Sequence, residues 1–154
     1  MDKAPLLSAL IAELGLRYDR AVAALTGARE AATGADTKAE NKYDTRGLEA
    51  SYLAAGQAEQ ADELSRALHA VETLDFADFD LDDRIAIGAL VETEQDDEIR
   101  FYLLAPAGGG IVLETADGDQ VTVLGPASPL ATKLIGQFAG SILHDPEILI
   151  LEVF

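Results

Sequence analysis

Two carboxylates four residues apart, Asp36 and Glu40, are the side chains best placed to do chemistry in this 154-residue chain. A helical turn would set them on one face as close neighbours. A pair of that kind can share a hard divalent cation such as Mg2+, which keeps several waters and takes further ligands from another group. Alone the pair would hold the ion weakly. Brought to a site that already contains one metal, it could complete a two-metal arrangement that activates water against a phosphodiester. The competing reading is a charged turn, with Asp36 capping a helix. Glu30 and Glu49 stand too far along the chain to join the pair.

The other chemistry-bearing residues are less suggestive. His69 and His144 stand far apart with no evident partners, which points to surface or structural roles. Gly108-Gly109-Gly110 lacks a following Lys-Ser/Thr and lies between two strand patterns, so it reads as a hairpin turn and not a phosphate loop. Asp96-Asp97-Glu98 lacks calcium-loop spacing and reads as a solvated turn. With no cysteine there is no disulfide framework and no cysteine-based zinc site.

Two long Ala-rich stretches flank the polar segment at 34–43 and must position it. In the first, Leu7, Leu14, Ala21 and Ala28 recur every seven residues, and so do Ile11, Tyr18, Leu25 and Ala32. Together they make one apolar stripe on a helix. In the second, Leu64 and Val71 form one series and Ala54, Ala61 and Leu68 the other. Nearer the polar segment Tyr43, Leu48 and Tyr52 are each candidates to face inward. No proline falls between Pro5 and Pro106, so nothing forces a break in either helix. Two such helices joined by a short turn run antiparallel, and at 1.5 Å per residue about 30 residues make a rod of about 45 Å. Self-association through the Ala-rich seam into a larger bundle is the alternative.

The period changes after residue 84. Ile85, Ile87, Ala89 and Val91 alternate, as do Phe101 and Leu103 against Tyr102 and Leu104. Further strands are expected at 111–115, 120–124 and 147–153. Ser128-Pro129 opens one short helix, with Leu130, Leu134 and Ile135 as its apolar face and Gly136 as its stop. The expected fold is α+β: a helical hairpin at 1–74 with an acidic tip at about 34–43, an acidic linker at 75–84 anchored by Phe76 and Phe79, and a small antiparallel sheet with one helix at 85–154.

Charge narrows the partners. The net charge is −17. Residues 1–74 carry 8 basic and 12 acidic side chains, whereas residues 75–154 carry 3 and 16. No Lys/Arg cluster exists to neutralise phosphates, so direct nucleic-acid binding is not expected. The acidic surface gives solubility or a basic protein partner. No apolar run reaches the roughly 18 residues of a membrane span, and Met1-Asp2-Lys3-Ala4-Pro5 does not read as a signal peptide. The expected compartment is the cytoplasm.

Residues 30–43, followed by the long second helix, resemble the tip of Gre-type (GreA/GreB) transcript cleavage factors, whose pattern is Gly-Asp-Leu-x-Glu-Asn-x-x-Tyr. Val123-Leu124-Gly125-Pro126-Ala127-Ser128-Pro129-Leu130-Ala131 with Leu134-Ile135-Gly136 is similar to that family's Ser-Pro-Leu-x-x-x-Leu-Leu-Gly signature. The order of parts is similar too, a coiled coil before an FKBP-like α+β domain, so the likeness spans nearly the whole chain. The resemblance implies a transcription elongation regulator that inserts its coiled coil into the secondary channel of bacterial RNA polymerase. Such a factor is no enzyme by itself: its tip carboxylates assist the polymerase active site in cleaving backtracked RNA. Asp36 and Glu40 would be those carboxylates, Asn41 and Tyr43 would shape the tip, and Ser128, Pro129 and Leu130 would lie in the docking domain. No cofactor is intrinsic, no metal is held in isolation, and Mg2+ enters only in complex with the polymerase. A monomer is expected.

The sequence departs from the family pattern at the tip. Three residues separate Asp36 from Glu40 where the family has two, and one separates Asn41 from Tyr43 where it has two. After the short helix, Gln137-Phe138-Ala139-Gly140-Ser141 replaces a basic pair and Gly-Asp. These changes leave two further readings open: a non-cleaving Gre-like regulator, and a chaperone or protein-interaction module built on a helical hairpin.

Overall fold

A computed structural model of the chain describes residues 1–34, 45–80 and 82–154. Helices α1 (Ala4–Thr33) and α2 (Arg46–Thr73) form a helical hairpin. Six strands and one short helix follow: β1 (Leu90–Gln95), β2 (Glu98–Leu104), β3 (Val112–Glu114), β4 (Gln120–Leu124), α3 (Pro129–Leu134), β5 (Ile142–Leu143) and β6 (Ile148–Val153). The chain divides into two compact units. One joins Met1–Ala12 to His69–Phe154; the other is Glu13–Leu68.

Within Glu13–Leu68 the seven-residue pattern reads directly onto burial. Leu14, Ala21 and Ala28 are buried, while Tyr18, Leu25 and Ala32 are half-buried beside them. On α2, within this unit, the buried or half-buried positions are Gly47, Ala50, Ala54, Gln57, Ala58, Ala61, Leu64, Ala67 and Leu68. Leu48 and Tyr52, candidates for the seam in the sequence, instead face solvent at 56% and 71% exposure, as does Leu53 at 57%. The heptad register explains this. Counting back from Ala61 in steps of seven reaches Ala54 and Gly47, and these small residues allow helix backbones to approach closely.

The sheet has the order β3-β4-β2-β1-β6-β5. Neighbouring strands are antiparallel except β2 and β4, which run parallel with Phe101 opposite Val121 and Leu104 opposite Leu124. The sheet is therefore mixed. The cause is the 105–111 connection: it carries the chain past the next position to the edge, and the β3–β4 hairpin folds back into the gap. Gly108-Gly109-Gly110 consequently is not a hairpin turn between paired strands, since β2 and β3 do not pair. Gly108 is required in that connection. Its φ is +83°, and an added Cβ would stand 2.8 Å from Leu10 Cδ1.

Alternation along the strands fills both faces. Val91, Leu104, Leu124, Ile148, Ile150 and Val153 pack with Ile85, Ala89 and Leu143, and with Ala131 and Leu134 of α3. Leu90, Leu103, Val121 and Val123 point to the opposite face and are also fully buried, as are Leu6 and Leu10 of α1. Ile85–Ala89, expected as strand, is not one. Ile85 and Ala89 are buried, but Gly88 adopts φ +107° and donates its N–H to the Leu104 carbonyl, so pairing with β2 as a strand starts at Leu90. Strand β5 is two residues long and too short to show any alternation in sequence.

Candidate docking surface and acidic segment

Asp36, Glu40, Asn41 and Tyr43 lie outside the described residues. The residues on either side are described. Thr33 ends α1 with its hydroxyl donating to the Arg29 carbonyl at 3.0 Å. Thr45 precedes α2 and donates its hydroxyl to Glu49 Oε1 at 3.1 Å. Glu49 lies in the first turn of α2, where a carboxylate is favoured by the helix dipole. Leu48 beside it and Tyr52 and Leu53 one turn further on are exposed. Among the described residues no group of three His, Cys, Asp or Glu side chains could hold a metal ion.

The second candidate region is fully described. Ser128 has extended backbone, φ −66° and ψ 129°, and its hydroxyl accepts the Ala131 N–H at 3.4 Å, capping α3. Pro129 takes the first helical position, where its missing N–H costs no hydrogen bond. Leu134 and Ala131 are buried and Leu130 packs against the same core, whereas Ile135, expected on the apolar face, is exposed. The helix stops there because Gly136, at φ +86°, turns its N–H to the Ile85 carbonyl.

The turn before α3 leans on the 108–110 glycines. A Cβ on Gly109 would meet the Gly125 nitrogen at 3.0 Å, so the two backbones touch because neither residue carries a side chain. Ser128 N–H donates to the Gly125 carbonyl at 2.9 Å and closes the turn. Between them opens a mostly apolar groove of about 450 Å³, lined in part by Gly109, Val123, Gly125, Pro126 and Ser128. Of the three residues singled out in the sequence, Ser128 lines the groove; Pro129 and Leu130 do not. Leu130 contributes to the core. Its role there and that of Ser128 as a cap are accounted for by α3 itself.

His69 and His144 are exposed. Asp96 and Asp97 make the β1–β2 turn with φ of 55° and 62° and are exposed. Glu92 differs. Burial raises its carboxyl above the ordinary range, and Glu152 and Asp119 raise it further, against the opposing pull of the Met1 amine. Glu152 stands directly across the ladder from Glu92, a like-charge pair. Sequence reasoning also missed Lys3, which is only 5% exposed. Burial lowers its ammonium below the ordinary value, while Asp78 and Asp75 push it back up. Nothing in the residues around Lys3 signals burial, because its contacts come from the far end of the chain.

No family model matches the chain, and no curated protein matches it. Solved structures do. The chain is similar to GreA factor homolog 1 (Gfh1) of Thermus thermophilus, at 18% identity over 94% of both chains with a TM-score of 0.37. A structure of the transcription factor Gfh1 aligns at 20% identity over 93% of this chain and 92% of the other, TM-score 0.37. Gfh1 of Thermus aquaticus aligns at 18% over 95% and 92%, again at 0.37. Likeness at this level carries no weight for activity or partner, which rest on the residues.

Proposed function

We propose that this protein is a Gre-like regulator of bacterial RNA polymerase that acts in the cytoplasm as a monomer. Its helical hairpin enters the secondary channel and its sheet unit binds at the channel rim. The observation that carries the reading is one chain combining a hairpin whose connection holds Asp36 and Glu40 with a Gly125–Leu130 turn-and-helix of the family's sequence pattern. The Gly109–Gly125 groove beside Ser128 offers the sheet unit an apolar contact surface next to that signature. In the complex, Asp36 and Glu40 would share a Mg2+ with the polymerase, Asn41 and Tyr43 would shape the tip, and the polymerase would do the cleavage.

The altered spacing favours a second form of the same proposal. With three residues between Asp36 and Glu40 the carboxylates would sit differently from the family's pair, and the factor would occupy the channel without stimulating cleavage. A backtracked elongation complex separates the two forms. Stimulated cleavage that is lost in Asp36→Ala with Glu40→Ala supports metal assistance; binding with no stimulation supports the non-cleaving regulator. Failure to bind the polymerase at all, with recovery of heterogeneous unfolded clients instead, would overturn both in favour of a chaperone module.

A further inference from the structure

The segment between α2 and β1 is rich in Asp and reads as a tether, yet its described part is held down. Its contacts converge on Lys3. The Lys3 ammonium donates to the carbonyl of Ala77 within the segment, to that of Gly88 at 3.3 Å in the turn before β1, and to that of Phe154 at 3.1 Å beyond β6. It also stands 5.1 Å from the centre of the Phe79 ring. Two points of the α2–β1 connection and the residue after β6 thus share one buried cation. The segment touches the sheet unit at a second point: a Cβ on Gly88 would lie 3.7 Å from the Asp75 carbonyl and 3.8 Å from Phe76. Phe79 packs against the core on the α3 side of the sheet.

We infer that Lys3 is the bolt of a strap: a positioning residue that fastens residues 75–80 to the sheet unit, so that this segment is part of the folded body and not a free tether. The chemistry is specific to an ammonium. A buried lysine has three donors and no acceptor, and here three main-chain oxygens, two from the α2–β1 connection and one from Phe154, take them. A neutral side chain of equal length would take this donor from the Ala77 and Gly88 carbonyls, while the Phe154 oxygen would keep the Leu90 N–H at 3.0 Å. The acidic character of the segment then has a local purpose. Asp75 and Asp78 supply the negative field that favours the charged form of Lys3 against the cost of its burial. The inference is independent of any polymerase partner, since every group in it belongs to the unit formed by Met1–Ala12 and His69–Phe154.

Replacing Lys3 in the full-length chain tests this. In Lys3→Met, chymotryptic cleavage after Phe76 and Phe79 and exchange of the Gly88 and Phe154 amides should accelerate by about tenfold or more, the scale of a lost hydrogen bond to a charged group. The Val121 and Val123 amides, on strand β4, should keep their protection. Because the chain contains no cysteine, Lys3→Cys can be aminoethylated in denaturant at a single thiol and refolded, which restores an ammonium at the length of lysine. Recovery of slow cleavage at Phe76 and Phe79 in that derivative is the expected result. Unchanged cleavage in Lys3→Met, acceleration shared equally by Val121 and Val123, or no recovery on aminoethylation would each overturn the strap.

Discussion

The Glu13–Leu68 helices and the strand-bearing unit are stabilised by different means. Among the described residues of the helical unit the fully inward positions are Leu14, Ala21, Ala28 and Ala61. In the other unit they include Leu90, Leu103, Leu104, Leu134 and Ile150. Burying a Leu or Ile side chain contributes about 1.5–3 kcal/mol, against about 0.8 kcal/mol for a single methyl-sized group. The helices rely instead on the helix propensity of Ala and on close backbone approach at small residues. One region is thus a dense anchor. The other is a thin two-helix element whose large side chains Leu48, Tyr52 and Leu53 are left outside.

The contrast can be broken most severely in the sheet unit. Leu134→Ala empties a fully buried position between α3 and the sheet and should cost about 2–5 kcal/mol, read as a lower urea midpoint for that unit. A loss below about 1 kcal/mol would mean that the core is far looser than its burial indicates.

A smaller effect is expected on the seam. Ala61→Gly should cost about 1 kcal/mol, through helix propensity more than packing. Amide exchange should speed up in residues 46–68 while the β2 and β4 amides stay protected. Equal acceleration in both units would erase the distinction drawn between them.

The smallest effect concerns Glu92 and Glu152. Glu152→Gln removes one member of the like-charge pair and should stabilise the protein at neutral pH by roughly a few tenths of a kcal/mol. The sign follows from linkage. Because its pKa is raised on folding, Glu92 binds protons more tightly in the folded state. Its contribution is therefore most favourable below the ordinary value of 4.5 and declines as pH rises from there through the raised value. Denaturation midpoints measured across that interval should fall less with pH in Glu152→Gln than in the parent chain. An identical slope in the two proteins would show that Glu152 does not act on Glu92.

Much of this architecture is visible in residue order. The Leu14-Ala21-Ala28 spacing specifies the buried line of α1, because a seven-residue repeat on a helix keeps returning to one face. Ser128-Pro129 and Gly136 mark the ends of α3 because capping and positive φ are local properties. Errors arose where local pattern met distant competition. Leu48 and Tyr52 are large and apolar, yet the register inherited from Ala61 assigns the inward positions to Gly47 and Ala54. Ile85–Ala89 alternates like a strand, but Gly88 diverts the chain before it can pair. Of the candidate site, the sequence alone singles out Asp36, Glu40, Asn41 and Tyr43, which fall outside the described residues. Residues around Ser128 are described, and there the groove depends on two glycine backbones meeting.

What residue order alone determined is therefore everything governed by short range: the helices and their stripe, the strands long enough to alternate, the caps, and the charge that disfavours a nucleic-acid backbone. Tertiary structure decided the rest. It made β4 run parallel to β2, brought Gly109 against Gly125, set Glu152 across from Glu92, and buried Lys3 against carbonyls from residues 77, 88 and 154. The physical reason is common to all four. Each joins groups whose separation along the chain carries no periodic signal, and each exists because chain segments must share the space around one sheet.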